Sequence, residues 1–200
     1  TREVSDGAVQ ESFAEMKLAM DSYPDLQMLL AQGEKQVSLR HDSQAFGAML
    51  QARPDWLSFQ GNQRITGGKP YTVDLKTTKD MNDWYDMFDV FRPLGPFHPV
   101  HKFNYHVQAA IVKYLAAQET ELGDTLQFVA VVEVADPYRC QVFQFEEIHM
   151  EYGLLEVEKA CKLIVAHRQT GLWNRSHGGI LKFGVPNFLE YKAMRTNENA

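Results

Sequence analysis

The segment that most constrains this chain is LQFVAVVEV, residues 126–134, where apolar residues follow one another almost without a break. A strand with one wet face alternates apolar and polar residues. A near-continuous apolar run suits a strand in the interior of a sheet. CQVFQF (140–145) follows across the turn residues ADPYR and is expected to pair with it. YTVDLKTT (71–78) predicts another strand, with Tyr71, Val73 and Leu75 alternating against Thr72, Asp74 and Lys76. Residues 34–40 alternate in the same manner, Val37 and Leu39 against Glu34, Gln36 and Ser38. Residues 47–53 are expected to return as the second arm of a hairpin, with HDSQAF as its turn. Helical spacing predicts helices over 9–31, split near Pro24, over 80–91 with Asp80 as N-cap, over 103–117, and over 146–169 up to Gly171. QGNQRITGGKP and RPLGPFHPVHK read as a turn region and a Pro-rich loop. No repeat or linker interrupts this order. The expectation is one α/β domain over residues 1–200, with 1–8 and 192–200 fraying.

Composition narrows the class further. Two hundred residues with 44% hydrophobic and 23% charged content exclude a collagen or an extended disordered chain. No stretch approaches the roughly 20 apolar residues of a membrane helix, and no secretory leader opens the chain. Cys140 and Cys161 are isolated in sequence, which predicts reduced thiols and a cytoplasmic location. The net charge of −6 excludes a basic nucleic-acid arm. A DNA partner would then need clustered bases and a divalent cation to supply positive charge. The chain opens on Thr1 rather than Met, so an upstream segment is expected to be missing.

Chemistry concentrates in RPDWLSFQGNQRITGGKPYTVDLKTT. Asp55 is expected to close one strand, and Asp74 lies in the next, two residues before Lys76. Residues i and i+2 of a strand share a face, so Asp74 and Lys76 are side by side. The hairpin-like connection can return Asp74 next to Asp55. Two carboxylates suit Mg²⁺ or Mn²⁺, hard cations that prefer oxygen ligands, and a lysine beside them can orient water or steady charge. The bland alternative is an Asp–x–Lys pair on a solvated strand edge.

RPDW followed by VDLKTT resembles the PD-(D/E)xK nuclease motif, with Asp74 at the acidic position and Lys76 at the lysine. FNYHVQAA (103–110), VAVVEVADPYRCQVFQF and HRQTGLWNRSHGGILKFGVPNF resemble, in order, later parts of the RecE-type, exonuclease VIII-like family, which is related to lambda exonuclease. The resemblance runs from about residue 34 to about 190. It implies a restriction-endonuclease-like core, a central mixed β-sheet flanked by helices. It implies Asp55, Asp74 and the Leu75 backbone carbonyl as ligands of one or two Mg²⁺ (or Mn²⁺) ions, with Glu34 or Gln36 at the place of a further family glutamate. It implies Lys76 beside the attacking water and Gln108 against that lysine or the scissile phosphate. Arg53, Thr77, Thr78 and Tyr105 become candidate DNA contacts, Tyr105 alternatively a buttress of the site.

The implied activity is removal of one strand from the ends of double-stranded DNA, 5′ to 3′, in phage or prophage recombination. A single-strand annealing protein would be the partner and a homo-oligomeric ring the assembly. Two rivals stand beside this, a non-catalytic DNA-binding module that keeps the fold and an endonuclease of the same superfamily. Departures from the family pattern favour the first. The family tyrosine four residues after the glutamine is replaced here by Val112, with Tyr114 out of phase, and no histidine precedes His41. His98, His101 and His106 lack cysteine partners at zinc spacing and read as loop residues, while His149, His167 and His177 read as surface or helix-end residues. Trp56, Trp84 and Trp173 read as packing residues, and Glu146, Glu147 and Glu151 as a solvated helix face.

Overall fold

The computed structural model describes residues 6–85, 99–119 and 122–171. The chain divides into two units, Thr1–Val165 and Ala166–Ala200. Described residues of the second are confined to 166–171, the end of a helix. The proposed C-terminal resemblance beyond 171, Trp173, His177, His98 and residues 1–5 and 192–200 of the tails lie outside the described residues, as does the helix expected over 86–91; residues 6–8, expected to fray, instead begin the first helix.

The first unit opens with helices α1 (Asp6–Asp21) and α2 (Pro24–Leu30). Pro24 makes the break, and it sits at the start of α2, where a missing N–H costs nothing. Strands β1 (Glu34–Lys35), β2 (Leu39–Ser43), β3 (Ala48–Ala52), β4 (Trp56–Ser58) and β5 (Tyr71–Thr78) follow. Then come α3 (Asn82–Tyr85), α4 (Pro99–Lys102), α5 (Tyr105–Ala116), β6 (Leu126–Glu133), β7 (Cys140–Gln144) and α6 (Glu147–Thr170). The main sheet has the order β1-β4-β5-β6-β7. Its β5–β6 pair is parallel and its other pairs are antiparallel. It is a mixed sheet flanked by helices.

The apolar run of β6 lies inside the sheet, between β5 and β7, as its composition requires. Phe128 and Ala130 pack with Tyr71 and Val73 of β5 against Leu26 and Leu29 of α2. Val129 and Val131 point the other way, towards Ala109 and Ala110 of α5, Trp84 and Phe143. Strand parity therefore sends Tyr71 and Val73 to the α2 side and Thr72, Asp74 and Lys76 to the α5 side. Burying each such valine or leucine contributes about 1.5–3 kcal/mol.

The region 34–53 departs from expectation. Residues 34–40 are not one strand. Gln36 has a left-handed backbone, φ +53°, and breaks the run after Lys35. The first part pairs with β4, Glu34 facing Leu57. The hairpin is β2–β3, Leu39 opposite Ala52 and Ser43 opposite Ala48, so His41 to Ser43 belong to a strand and the turn is displaced to 44–47. This hairpin forms a separate two-stranded sheet whose Leu39, Ala48 and Leu50 pack on Val112, Leu115 and Ala116 of α5. Asp55 does not close a strand; it immediately precedes β4.

Helices α5 and α6 cross closely at Gly153. A Cβ there would sit 2.5 Å from the His106 carbonyl oxygen and 2.6 Å from the Ala110 Cβ. Gly153→Ala is expected to wedge α6 off α5 and cost about 1–3 kcal/mol, read as a lower urea midpoint. At the far end of β6 the buried Glu133 accepts the Met81 N–H (2.7 Å), the Arg139 N–H (3.3 Å) and both arms of the Arg139 guanidinium (2.7 Å each). The Arg139 hydrogen bonds, aided by that of Met81, hold its carboxyl down to about 2 against burial. A carboxylate with a depressed folded pKa stabilises fully above its unfolded value and ceases to do so as pH falls through the folded one. Acid titration of stability should therefore show a loss between about pH 4.5 and pH 2 that Glu133→Gln lacks. That variant should also be less stable at pH 7 by about 1–2 kcal/mol, because the Arg139 guanidinium it leaves behind is more than a third exposed.

Candidate active site

Three separate parts of the sequence meet on the α5 side of the sheet. β4 pairs with β5 through Trp56–Val73, Leu57–Thr72 and Ser58–Tyr71. The pairing ends at Val73, so Asp74 and Leu75 lie beyond the last β4 partner. Asp55 fills that place, its Oδ2 accepting the Leu75 N–H at 2.8 Å. The carboxylate thus continues the ladder where the strand itself has stopped.

Asp74 and Lys76 project from β5 on one side and form an ion pair, Lys76 Nζ to Asp74 Oδ2. Their side chains are 21% and 18% exposed, so water screens this pair only in part. Gln108, one turn into α5, binds both. Its Nε2 donates to Asp74 Oδ1 at 3.0 Å, and its Oε1 accepts from Lys76 Nζ at 3.3 Å. A neutral amide, with its separate donor and acceptor atoms, can serve an acid and an ammonium at once. Tyr105, one turn earlier, lies with its ring centroid 4.9 Å from Lys76 Nζ.

Burial pushes the Asp74 carboxyl above its usual range. The Lys76 hydrogen bond and charge oppose this, and the neighbouring Asp55 charge adds to it. Two carboxylates near enough to feel each other, with one lysine paired to Asp74, are an electrostatic place for an added cation. The oxygen-rich donor set of Asp55, Asp74 and the Leu75 carbonyl fits a hard divalent ion. Among the described residues, no group of three or more His, Cys, Asp and Glu side chains converges. Beneath the site a small recess is lined by Pro54, Thr72, Asp74, Gln108, Gln127 and Phe145, among others. Two of its polar lining side chains are internally paired: Thr72 Oγ1 donates to Gln127 Oε1 at 2.6 Å, and Gln127 Nε2 donates to Thr125 Oγ1 at 3.0 Å.

The remaining candidates are placed as follows. Gln36 donates its N–H to the Asp55 carbonyl at 3.1 Å, while Glu34 is exposed on β1 opposite Leu57. They do not share a strand, because the chain turns at Gln36. Arg53 and Thr77 are exposed, and Thr78 Oγ1 donates to the Asp80 carbonyl (3.0 Å) in the turn after β5. Val112 lines the recess, and Tyr114 instead meets Ser43 Oγ at 2.6 Å under the hairpin. His106 is a buried helix residue, not a loop residue, with Nδ1 3.0 Å from the Val100 carbonyl. His149 is half-buried at the start of α6, and burial lowers its pKa. Burial pushes the Cys140 thiol up to about 11 and raises Cys161 too, so neither is an activated nucleophile. The Thr72–Gln127–Thr125 network and the stacking of Trp84 under the site were not legible in sequence, since no motif spacing links residues from three elements. No helix of the described residues is long and apolar enough to cross a membrane.

A family model described as a PDDEXK-like domain of unknown function (DUF3799) matches residues 2–180. Among solved structures, a "putative exonuclease" from Eubacterium rectale superimposes with a TM-score of 0.62 at 18% identity. The alignment covers 96% of this chain and 67% of that one. At that identity the likeness speaks for the fold. The structure of SSO0001 gives a TM-score of 0.37 at 12% identity, over 82% of this chain and 62% of the other, too distant to bear on the argument. No curated protein matches the chain at a significant level.

The electrostatics are open to direct test. Lys76→Met removes the cation that opposes burial at Asp74, so the Asp74 carboxyl is expected to titrate at still higher pH. Carboxyl ¹³C NMR of the metal-free protein would read this, and an unchanged or lower titration point would contradict the pairing.

Proposed function

The chain belongs to the family of PDDEXK-like domains matched over residues 2–180, and from that premise we propose that it is a metal-dependent deoxyribonuclease acting on the ends of double-stranded DNA. The observation that carries this reading is the meeting of Asp55 from the segment just before β4, Asp74 and Lys76 from β5, and Gln108 from α5. The bland alternative, a solvated strand-edge pair, does not account for Gln108 reaching both partners from a separate helix.

Asp55, Asp74 and the Leu75 carbonyl are the groups that would hold one or two Mg²⁺ or Mn²⁺ ions. Such an ion supplies a more acidic water and offsets negative charge developing on a phosphate. The Lys76 ammonium adds a positive charge on the same face, beside the place of the attacking water. Gln108 holds Asp74 and Lys76 in fixed relation, so neither has to reorganise when substrate arrives. Asp55 is tied to the backbone of β5, which fixes the spacing of the two acids. Arg53, Thr77 and Thr78 lie on the segments flanking these groups and are proposed contacts for the DNA backbone.

The finer reading follows the RecE-type resemblance: cleavage from the 5′ end, leaving a 3′ single strand, in a cytoplasmic recombination setting. A ring of identical chains and a single-strand annealing partner belong to the same proposal.

The test is digestion of 5′-labelled and 3′-labelled linear duplex, with closed-circular DNA alongside, in Mg²⁺, Mn²⁺ and EDTA. Metal-dependent loss of linear DNA alone is the expected result, the 5′ label going first. Asp74→Ala and Lys76→Ala should each lower the rate by about a hundredfold or more with little change in melting temperature. An Asp74→Ala protein as fast as the parent would remove the assigned site. Cleavage of the closed circle would favour an endonuclease. Duplex binding without cleavage, and without stabilisation by either ion, would favour a non-catalytic module.

A further inference from the structure

Lys76 has more partners than a motif lysine needs. An ammonium carries three N–H donors and no acceptor. Two of them have conventional acceptors, the Asp74 carboxylate and Gln108 Oε1. The third acceptor is the Tyr105 ring, whose centroid lies 4.9 Å from Nζ. A cation within about 6 Å of a ring centroid is attracted to the π face, more strongly where water is largely excluded. With Lys76 18% exposed, this contact is substantially desolvated.

The ring is itself held. Tyr105 begins α5, directly after Asn104 in a left-handed conformation, φ +56°. Its ring lies nearly parallel to the Trp84 indole, 14° between planes and 5.8 Å between centroids. Trp84 stacks in turn on Phe143, 22° and 5.6 Å. Trp84 and Phe143 are 1% and 2% exposed, so the stack behind Tyr105 cannot shift without opening the core. The short helix carrying Trp84 is pinned at its start. Asp80 Oδ1 accepts the Asn82 N–H at 2.8 Å, and Glu133 Oε1 accepts the Met81 N–H at 2.7 Å.

We propose that Tyr105 and Trp84 are positioning residues for Lys76, the Tyr105 face being the third acceptor of its ammonium and Trp84 the buried backing that fixes that face. The inference rests on the nuclease reading for its effect on rate, but the ring contact does not. A lysine side chain has four rotatable bonds, and Asp74 alone would leave the ammonium free to swing about a single partner. The ring restricts it to the line between Asp74, Gln108 and the substrate face.

Two readouts on the full chain test this. The first is NMR of the metal-free protein with lysine labelled at Cε. A ring face over the ammonium shifts the Lys76 Hε signals upfield. The shift should be present in the parent, kept in Tyr105→Phe, and lost in Tyr105→Leu. The second is cleavage of linear duplex. Tyr105→Leu should lower kcat about tenfold with KM nearly unchanged, and Tyr105→Phe should restore most of it. Trp84→Leu should weaken both signals in the same direction. If it fails to fold, the half-buried Tyr105 pair of variants still decides.

A parent without the upfield signal overturns the proposal. So does a Tyr105→Leu protein that loses the signal but keeps its kcat. A rise in KM at constant kcat also overturns it, in favour of Tyr105 as a DNA contact. A parent that shows the signal, sensitive to Tyr105→Leu, yet cleaves no DNA supports the ring contact and overturns the nuclease reading instead.

Discussion

The eight-residue parallel pairing of β5 with β6, Tyr71 with Leu126 through Thr78 with Glu133, is the constraint on which the rest of the structure depends. Parallel neighbours cannot be joined by a tight turn. The chain leaving Thr78 must cross the sheet before it can return as β6, and α5 is the helix of that crossover. The same pairing fixes parity on both strands. Val73 and Phe128 face α2; Asp74 and Val129 face α5. Gln108 reaches Asp74 and Lys76 because the crossover that the pairing demands lays α5 over the polar side of β5.

The site is then a matter of where strand pairing stops. β4 is three residues long and leaves β5 at Val73. Beyond that point a carboxylate takes over a backbone donor, and the sheet edge becomes a place where two acids, one ammonium and one amide converge. Burial acts on this group unevenly. It raises the acid, and the lysine and the neighbouring carboxylate pull in opposite directions. Such a balance favours groups that respond to an added cation over groups that merely stabilise the fold.

The elements that were legible were those whose pattern is local. YTVDLKTT alternates without interruption and is a strand over its whole length. The apolar run 126–133 could sit only inside a sheet, and the stop at Gly171 follows from its left-handed φ of +67°. The elements misread were those decided by partners. Residues 34–40 alternate correctly, yet Gln36 turns, because Lys35 pairs with Trp56 while Leu39 pairs with Ala52 in a different sheet. WLS is too short to announce itself and is a strand by virtue of β1 and β5 on either side. Sequence spacing groups His106 with a loop cluster, because nothing in that spacing shows the Val100 carbonyl that meets its ring.

By itself the sequence determined that Asp74 and Lys76 share a face, that a second acid could be returned to them, and that the helix with Gln108 follows. These are consequences of strand period and chain order, which act over a few residues. The tertiary structure alone decided that Asp55 binds the Leu75 N–H, that Gln108 bridges acid and lysine, and that a stack built on the buried Phe143 and Trp84 ends in the Tyr105 ring against the ammonium. Those contacts join residues 20 or more apart in sequence. Their distances depend on where a strand ends, how closely α5 approaches α6 at Gly153, and which rings the core leaves room for.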